Sequence, residues 1–581
     1  MILPRPRLAA TGAAFLLGSF TAIAAAGVRV EIEGLTGNER DNVQARLSLR
    51  VRAEKEKLDE AQVKRLHQQA PDDIRGALQP FGYYEPEIES RLEGSAPNWV
   101  AHYDVKLGPA THVSAIDTKY EGEGADFEPL LQPLRRLPLK LDERLRHADY
   151  EATKKRMSDA ALANGFLDAN WAVSELRVEP QKREAQAILH LDTGPRYFFG
   201  PVTVEQEGLD PAFVRRYIDI HPGTSFDPQK LLDLQFRLSD LGYFQAVEID
   251  PRREDADEER RVPIDIRTTP RARTRYDFGV GYGTDTGARV SIGTDWRRIN
   301  QYGHTINTDF RLSEIKNTLA GKYNIPLGSE PGESLSFNAS AETEKLEDGD
   351  TRKYTLGTSL NRQPGDWTRR LYVEFAHEES DFGQTSATAD LLTPGLTLTR
   401  SVTDDPIYTR RGWFLSGDVH GALHNVLSTT SFVQMRGTAR AVVSPMWRLR
   451  FIGRAEIGYS LVEEFGELPA SQRFFAGGDQ SVRGYAYQSL GPRDSKGNVV
   501  GGKYLSVFSI ESEYRVIGNW GAALFADAGG AEDDPGPNLS MGIGAGVRYR
   551  APIGSLQFDL AHPLDGDESP VRIHIGVRVG V

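Results

Sequence analysis

The C-terminal half of the chain alternates between apolar and polar residues with a period of two. In Arg273–Val581, segments carry apolar residues on one face and polar or small residues on the other, as strands do between lipid and an aqueous lumen. About 16 such segments can be counted, and many reach the roughly 9–11 residues that a tilted strand needs to cross the hydrocarbon layer. The last segment shows the apolar face most clearly, at Val571, Ile573, Ile575, Val577, Val579 and Val581.

A soluble β-sandwich alternates in the same way, so the length and number of the segments decide between the two folds. An even number of antiparallel strands closes a barrel and leaves no unpaired backbone edge in lipid. We therefore predict a 16-stranded antiparallel transmembrane β-barrel over residues 271–581. If its first strand rises from the periplasmic side, the long connection at 462–501 lies at the outer face.

The N-terminal half contains three weak repeats, in which a helical stretch is followed by glycine, an aromatic residue and a strand. Gly82, Gly165 and Gly242 stand just after the helices, where glycine ends a helix in a left-handed conformation without steric cost. Three unrelated α/β domains that share a helix-ending glycine are the alternative, which explains less of the repetition. The predicted α/β modules span 27–108, 109–194 and 195–270.

Residues 1–26 have the features of a secretory signal peptide. Arg5 and Arg7 precede an apolar run from Leu8 to Ile23, and Ala24–Ala26 supply small residues for cleavage. A membrane-anchor helix is the alternative, but the run is short and contains glycine and hydroxyl residues. No later stretch is apolar for long enough to span a membrane as a helix, so a mature chain that spans one needs a barrel.

Composition narrows the function further. The 581 residues carry a net charge of −13 and no cysteine, which excludes disulfides and thiolate metal sites and argues against a nucleic-acid partner. The motifs of serine hydrolases, zinc peptidases and P-loop nucleotide-binding proteins are missing. We therefore predict that the protein is not an enzyme and uses no metal or cofactor.

One arginine on the long connection marks the candidate site, in Val482-Arg483-Gly484-Tyr485. If this loop folds into the barrel, a buried guanidinium needs carboxylate partners. Alternation in the next segment places Glu511 and Glu513 on the inner face, and Asp527 follows in the segment after it. The alternative to a buried arginine is an ordinary exposed loop arginine, with the acids solvated in the lumen.

These motifs resemble those of the outer-membrane assembly superfamily, whose members combine POTRA domains with a β-barrel and share a VRG(F/Y) signature. The resemblance implies three periplasmic α/β POTRA-like domains and an inward-folded loop 462–501. It also implies a loop clamp in which Glu511 and Asp527 hold Arg483, with Glu513 as a substitute acid. Three repeats are typical of the TamA type, the translocation and assembly module subunit.

The resemblance implies an insertase or translocase in the outer membrane of a Gram-negative bacterium. Its clients would be autotransporters or other unfolded outer-membrane proteins, outer-membrane lipid would be a further partner, and an inner-membrane-anchored TamB-like protein would work with it. A BamA-like general barrel assembly factor and a two-partner-type secretion transporter remain alternatives. A solute channel or porin is the alternative from a different class.

The first and last strands form the seam of the predicted barrel. Tyr276 and Phe278 lie on the lipid face of the first strand, and its inner face carries glycines, which weaken a strand. Pairing of this strand with the last one would give a weak seam, and the resemblance implies sideways opening to a client strand. The terminal Val581 departs from the aromatic end of many outer-membrane barrels. The remaining seam residues are Gly279, Gly281, Gly283, Ile573, Ile575 and Val577.

Overall fold

A computed structural model describes residues 27–285, 287–346, 349–382, 385–536, 538–552, 554–565 and 571–578. The predicted signal peptide, Val579 and Val581 lie outside these residues. Two compact units divide the chain. The first consists mainly of the described residues up to 200, and the second contains 201–221, 230–254 and the described residues from 263 onward.

Each N-terminal module has a three-stranded sheet whose third strand is central. In the first two modules this strand runs parallel to the first strand and antiparallel to the second. The first module contains β1 (Val28–Glu33), α1 (Gly37–Arg46), α2 (Ser48–Ala53), α3 (Glu60–Leu78), β2 (Glu87–Ser95) and β3 (Asn98–Lys106). The second contains β4 (His112–Glu121), α4 (Glu128–Leu134), α5 (His147–Ala163), β5 (Asn170–Glu179) and β6 (Glu184–Asp192). The third contains β7 (Phe198–Glu205), α6 (Pro211–Arg215), α7 (Pro228–Asp240), β8 (Phe244–Pro251) and β9 (Arg261–Pro270).

The helix-ending glycines of the three repeats adopt positive φ angles, 85° at Gly82, 93° at Gly165 and 78° at Gly242. A Cβ at Gly82 would lie 2.5 Å from the carbonyl oxygen of Leu145, so the close approach also requires glycine. The carbonyl of Gly82 accepts a hydrogen bond from the N–H of Thr111 at 2.8 Å. In the first two modules the repeated glycine therefore ends a helix where the chain of the following module packs, whereas a Cβ at Gly242 would meet open space.

Sixteen antiparallel strands form a single sheet in which neighbours in sequence are neighbours in space. This architecture confirms the predicted fold class. The strands are β10 (Thr274–Gly283), β11 (Gly287–Trp296), β12 (Thr305–Ser313), β13 (Lys316–Pro326), β14 (Ser334–Leu346), β15 (Gly349–Arg362), β16 (Thr368–Phe382), β17 (Thr385–Thr403), β18 (Arg411–Ala422), β19 (Phe432–Met446), β20 (Leu449–Val462), β21 (Tyr504–Ile517), β22 (Trp520–Glu532), β23 (Ser540–Ala551), β24 (Gly554–Pro563) and β25 (Arg572–Arg578).

The barrel is nearly closed, with β10 and β25 as the two end strands of the sheet. Among the described residues, no backbone ladder joins these strands. In the described part of the seam, one hydrogen bond joins β25 to the residue after β10, from the N–H of Ile575 to Oγ1 of Thr284 at 3.4 Å. On the outside of β10, the side chains of Tyr276 and Phe278 are 62% and 77% exposed. The seam therefore presents an apolar outer surface and little backbone pairing.

A turn of the barrel packs against the third module. Between β11 and β12, the carbonyl of Gly303 accepts a hydrogen bond from the Tyr243 hydroxyl, and the carbonyl of Gln301 accepts one from the N–H of Asp210 at 2.8 Å. Gly303 has a φ of 73°, and a Cβ there would lie 2.5 Å from the ring of Phe213. Glycine is therefore required at this contact. Within the described residues, no helix is long and apolar enough to span a membrane.

Candidate functional site

The connection between β20 and β21 folds into the barrel and buries the predicted arginine motif. Val482, Arg483 and Tyr485 are 0%, 3% and 3% exposed. An apolar cluster holds this part of the loop against the wall, and apolar burial of this kind is favourable in proportion to the area removed from water. Its buried members are Phe474, Ala476, Val482, Tyr485, Leu505, Val507 and Ala531.

Glycines allow the loop backbone to approach the wall closely. A Cβ at Gly542 of β23 would lie 2.0 Å from the carbonyl oxygen of Arg483. Gly484 has a φ of 102°, and a Cβ there would lie 3.0 Å from the backbone nitrogen of Pro563. Both positions therefore lack room for a side chain, and Gly484 also needs the left-handed conformation that glycine adopts readily.

The guanidinium of Arg483 forms a bidentate pair with Asp527. Its Nε lies 2.7 Å from Oδ2 of Asp527, and its Nη2 lies 3.0 Å from Oδ1. The backbone N–H of Arg483 donates to the same Oδ2 at 3.1 Å. The ring of Phe525 lies against the guanidinium, with its centroid 3.4 Å from Cζ. A planar fork matched in this way to a carboxylate gives the strongest type of ion pair.

Two further carboxylates contact the remaining nitrogen of the fork. Nη1 of Arg483 lies 2.9 Å from Oε2 of Glu511 and 3.0 Å from Oδ2 of Asp559. The structure therefore brings both predicted clamp acids, Glu511 and Asp527, to the arginine. Asp559 was not predicted from the sequence as a clamp acid, because it lies outside the motifs. Its place between Phe558 and Leu560 of β24 does indicate that its side chain faces the lumen.

Two arginines from other strands complete this network. Arg548 of β23 lies 2.8 Å from Oε1 of Glu511 and also pairs with Asp559. Arg578 of β25 lies 3.1 Å from Oε2 of Glu511. Glu511 thus contacts three guanidiniums at once, and its negative charge together with those of Asp527 and Asp559 offsets the cost of burying these arginines. Neither arginine was predicted, and both follow the same inner-face alternation.

Glu513 does not contact Arg483, although its carboxylate lies 3.5 Å from Nε of Arg548 and 3.6 Å from Nη1 of Arg578. Its carboxylate lies 2.6 Å from Nη2 of Arg450 on β20. Nη1 of Arg450 also donates to the carbonyl of Thr409 at 3.0 Å, and the Tyr408 ring centroid lies 4.1 Å from its Cζ. Glu513 therefore holds the turn between β17 and β18 and does not share the loop arginine.

The loop is also attached to the seam strand. The N–H of Gly484 donates to Nε2 of His574 on β25 at 3.1 Å. The hydroxyl of Tyr485 donates to the carbonyl of Asp565 at 2.9 Å. The contact with His574 and the pair between Arg578 and Glu511 hold β25 in place from the lumen side, and the contact with Asp565 fixes the chain just after β24.

The opposite wall contacts the loop as well. The N–H of Ser471 donates to Oε1 of Glu378 on β16 at 3.0 Å. The hydroxyl of Tyr487 lies 3.1 Å from Oε1 of Glu344 on β14. The loop therefore crosses the lumen. Within the described ranges, no group of three or more metal-ligating side chains is placed to hold an ion.

The predicted seam residues lie on the two end strands. Tyr276 and Phe278 face outward on β10, and Gly279, Gly281 and Gly283 face the lumen side. A Cβ at Gly279 would lie 2.4 Å from Oγ of Ser291, its partner on β11. The residues predicted on the last strand, Ile573, Ile575 and Val577, are exposed on the outer face of β25.

Comparisons with known proteins agree with this architecture. Residues 272–580 match the Omp85 superfamily domain, residues 29–107 match the POTRA domain called TamA domain 1, and residues 197–271 match the POTRA family described as a surface antigen variable number repeat. The outer membrane protein assembly factor BamA of Nitratidesulfovibrio vulgaris is 24% identical over 83% of this chain and 62% of its own length. That of Neisseria meningitidis serogroup B is 23% identical over 71% of this chain and 61% of its own length.

The chain thus spans about three fifths of the length of these curated relatives. The crystal structure of BamA from Haemophilus ducreyi lacking POTRA domains 1–3 has a TM-score of 0.65, with 16% identity over 80% of this chain and 99% of that chain. Since the Omp85 model alone matches more than half of the 581 residues, the protein belongs to the Omp85 superfamily, as an outer-membrane barrel with POTRA domains in the periplasm.

Proposed function

We propose that this protein is an outer-membrane insertase or translocase of the TamA type. It assembles or exports autotransporters and other outer-membrane proteins through the seam between β10 and β25, and it performs no covalent chemistry. The observation that carries the proposal is a seam without a backbone ladder among its described residues, next to a buried clamp that holds β25. The match of residues 29–107 to the TamA-type POTRA domain supports the choice within the superfamily.

The exposed edge of β10 is suited to add a client strand. Unpaired N–H and C=O groups at a sheet edge bind an extended chain by extending the sheet. β10 has three inward glycines, Gly279, Gly281 and Gly283. Glycine weakens a strand, which lowers the cost of separating β10 from β25.

The loop clamp attaches to β25, one of the two strands of the seam. His574 and Arg578 attach β25 itself to the loop and to Glu511, whereas the β10–β11 hairpin meets the loop at its turn, where Asp285 accepts from the N–H of Asp479. We therefore infer that β25 stays in place while the body of β10 moves. Among the described residues, β10 is joined to β11 along its whole length, so this hairpin moves as a unit.

A covalent lock at the seam tests the proposal. The chain has no cysteine, so a Thr284→Cys/Ile575→Cys pair can be joined by a short bis-maleimide linker without side reactions. We expect the lock to stop display of an autotransporter at the cell surface. The matched control is Thr355→Cys/Ala376→Cys, which joins two paired strands far from the seam. Full client assembly by the locked seam would overturn the proposed route.

Capture of the full-length protein from solubilised membranes tests the partner. Recovery of an inner-membrane-anchored, periplasm-spanning TamB-like protein supports the TamA type. Recovery of periplasmic lipoproteins in its place indicates a BamA-like general assembly factor. Single-channel recording distinguishes the porin class, because a loop that crosses the lumen predicts no large steady conductance.

A further inference from the structure

Two arginines beside the clamp, on β19 and β20, have no carboxylate partner among the described residues. Arg440 on β19 and Arg454 on β20 make no ion pair, whereas the four other arginines nearby engage all the clamp acids. These engaged pairs join Arg483, Arg548, Arg578 and Arg450 to Glu511, Glu513, Asp527 and Asp559. This side of the lumen therefore carries two guanidiniums whose charge is not neutralised by direct contact.

Both arginines line one small cavity, together with Arg578 and Gln480. Its volume of about 140 Å³ equals that of roughly four or five water molecules. The Nε atoms of Arg440 and Arg454 are buried and have no hydrogen-bond partner within the described part of the chain. A buried donor left without a partner costs free energy, and a charged one costs more.

The polar groups around the cavity do not meet this need. The Nη atoms of Arg454 donate to the carbonyls of Gln480 and Ser481, which are neutral. Glu511 lines the cavity but already accepts from three guanidiniums. Asp479 also lines it, and its backbone N–H donates to the carboxylate of Asp285. The unpartnered donors thus require an acceptor from outside the chain.

We propose that this cavity binds one small oxyanion, a phosphate or a carboxylate, between the guanidiniums of Arg440 and Arg454. The planar fork of arginine matches the oxygen spacing of both groups. The cavity has room for a single such group but none for a chain segment. The bound anion connects β19 and β20 to the loop at Gln480 and, through Arg578, to β25. The anion therefore stabilises the loop on the side of the lumen where Arg440 and Arg454 lie, since the clamp acids do not neutralise these two arginines.

Thermal unfolding of the full-length protein in detergent tests the site. Sodium phosphate is titrated at constant ionic strength, with sodium chloride replaced as phosphate is added, and sodium acetate is used in a parallel series. We expect a saturable rise in the unfolding temperature of the wild type. The series that saturates at the lower concentration identifies the preferred oxyanion as phosphate or carboxylate.

Variants locate the effect. Arg440→Gln and Arg454→Gln should each weaken the apparent affinity by about tenfold or more, because each removes charged hydrogen bonds to the anion. Arg370→Gln is the matched control, since Arg370 faces the lumen on β16 and pairs with Glu374 outside the cavity. We expect it to keep the wild-type affinity.

A second measurement separates binding from folding. Without added oxyanion, Arg440→Gln should unfold at the same temperature as the wild type or higher, because it removes a buried charge that lacks a partner. If a glutamine variant does not fold, Arg440→Lys and Arg454→Lys keep the charge but lose the fork, so they should bind more weakly than wild type. Absence of saturation with both anions overturns the proposal, as does an equal response of the Arg440, Arg454 and Arg370 variants.

Discussion

The guanidinium of Arg483 meets three carboxylates that come from β21, β22 and β24. A buried charge of this kind is stable only when its partners satisfy it, so each member depends on the others. Because the partners belong to different strands, the loop arginine holds neighbouring parts of the wall together.

We expect Arg483→Ala to release the loop from the lumen wall. Removal of one member of a buried ion pair costs about 3–5 kcal/mol, and here it takes from Asp527 the arginine that it pairs with. Chymotryptic cleavage after Tyr485, which is buried in the folded loop, should rise and client assembly should fall. Arg493→Ala, an exposed arginine of the same loop, is the control. Full folding and activity of Arg483→Ala would refute the clamp.

The acids should differ in their effect on the loop. Asp527→Asn should increase cleavage after Tyr485 most, because Asp527 accepts both the fork and the backbone N–H of Arg483. Asp559→Asn should increase it less, since it removes one of two acceptors at Nη1. Glu513→Gln should leave the loop protected, because Glu513 pairs closely with Arg450, at 2.6 Å, and lies farther from the clamp arginines Arg548 and Arg578, at 3.5 and 3.6 Å. Strong loop exposure in Glu513→Gln would contradict this assignment.

The sequence indicated Glu511 and Asp527 because two signals coincide there, a motif and a place on the inner face. Asp559 had only the second signal. Alternation shows which face a residue occupies but not which residues of distant strands lie at the same height in the barrel. For the same reason, Glu513 could not be separated from Glu511 by sequence reasoning, although the structure gives it a different arginine.

Among the elements, the turn between β11 and β12 is a close contact of the third module and the barrel. We expect Gly303→Ala to destabilise the protein, because the left-handed conformation costs a non-glycine residue about 1–2 kcal/mol and the new Cβ meets the ring of Phe213. Gly365→Ala is the matched control: it lies in another turn at the same end of the barrel, with a φ of 62° and open space around it. Denaturant unfolding should show a larger loss for Gly303→Ala than for Gly365→Ala.

The junction of the first two modules should respond to acid. Nε2 of His147 on α5 is hydrogen-bonded to the Tyr84 hydroxyl at 2.7 Å, and burial lowers the pKa of His147 below its ordinary value of 6.5. The unfolded chain therefore binds more protons than the folded chain below pH 6.5, so stability falls as the pH decreases through that value.

Unfolding of the full-length protein by urea, followed through tryptophan fluorescence, measures this effect. Burial also lowers the pKa of His67, and that residue adds to the loss in the same direction. His147→Gln should reduce the slope of stability against pH between neutral pH and the folded pKa. An unchanged slope in this variant would assign the acid sensitivity to other groups.

For the whole molecule, the sequence predicted the fold class because two physical constraints repeat many times. Lipid on one side and water on the other impose a period of two on every strand, and the helix-ending glycines mark every module. The state of the seam was beyond such reasoning, because pairing between the first and last strands depends on contacts across the full length of the chain. The path of the loop through the lumen also depends on long-range packing, as between Val482 and β22.

Residue order along the polypeptide bears on how this protein reaches its final state. Arg483 precedes Glu511, Asp527 and Asp559 in the chain. Asp559 on β24 is therefore the last of the three carboxylates to be made. An intermediate that ends before β24 holds the arginine incompletely, and one that lacks β25 also misses the imidazole of His574. The full set of contacts to Arg483 therefore forms only when the barrel is complete. Burial of the loop reports that the C-terminal hairpin, β24 and β25, has joined the sheet.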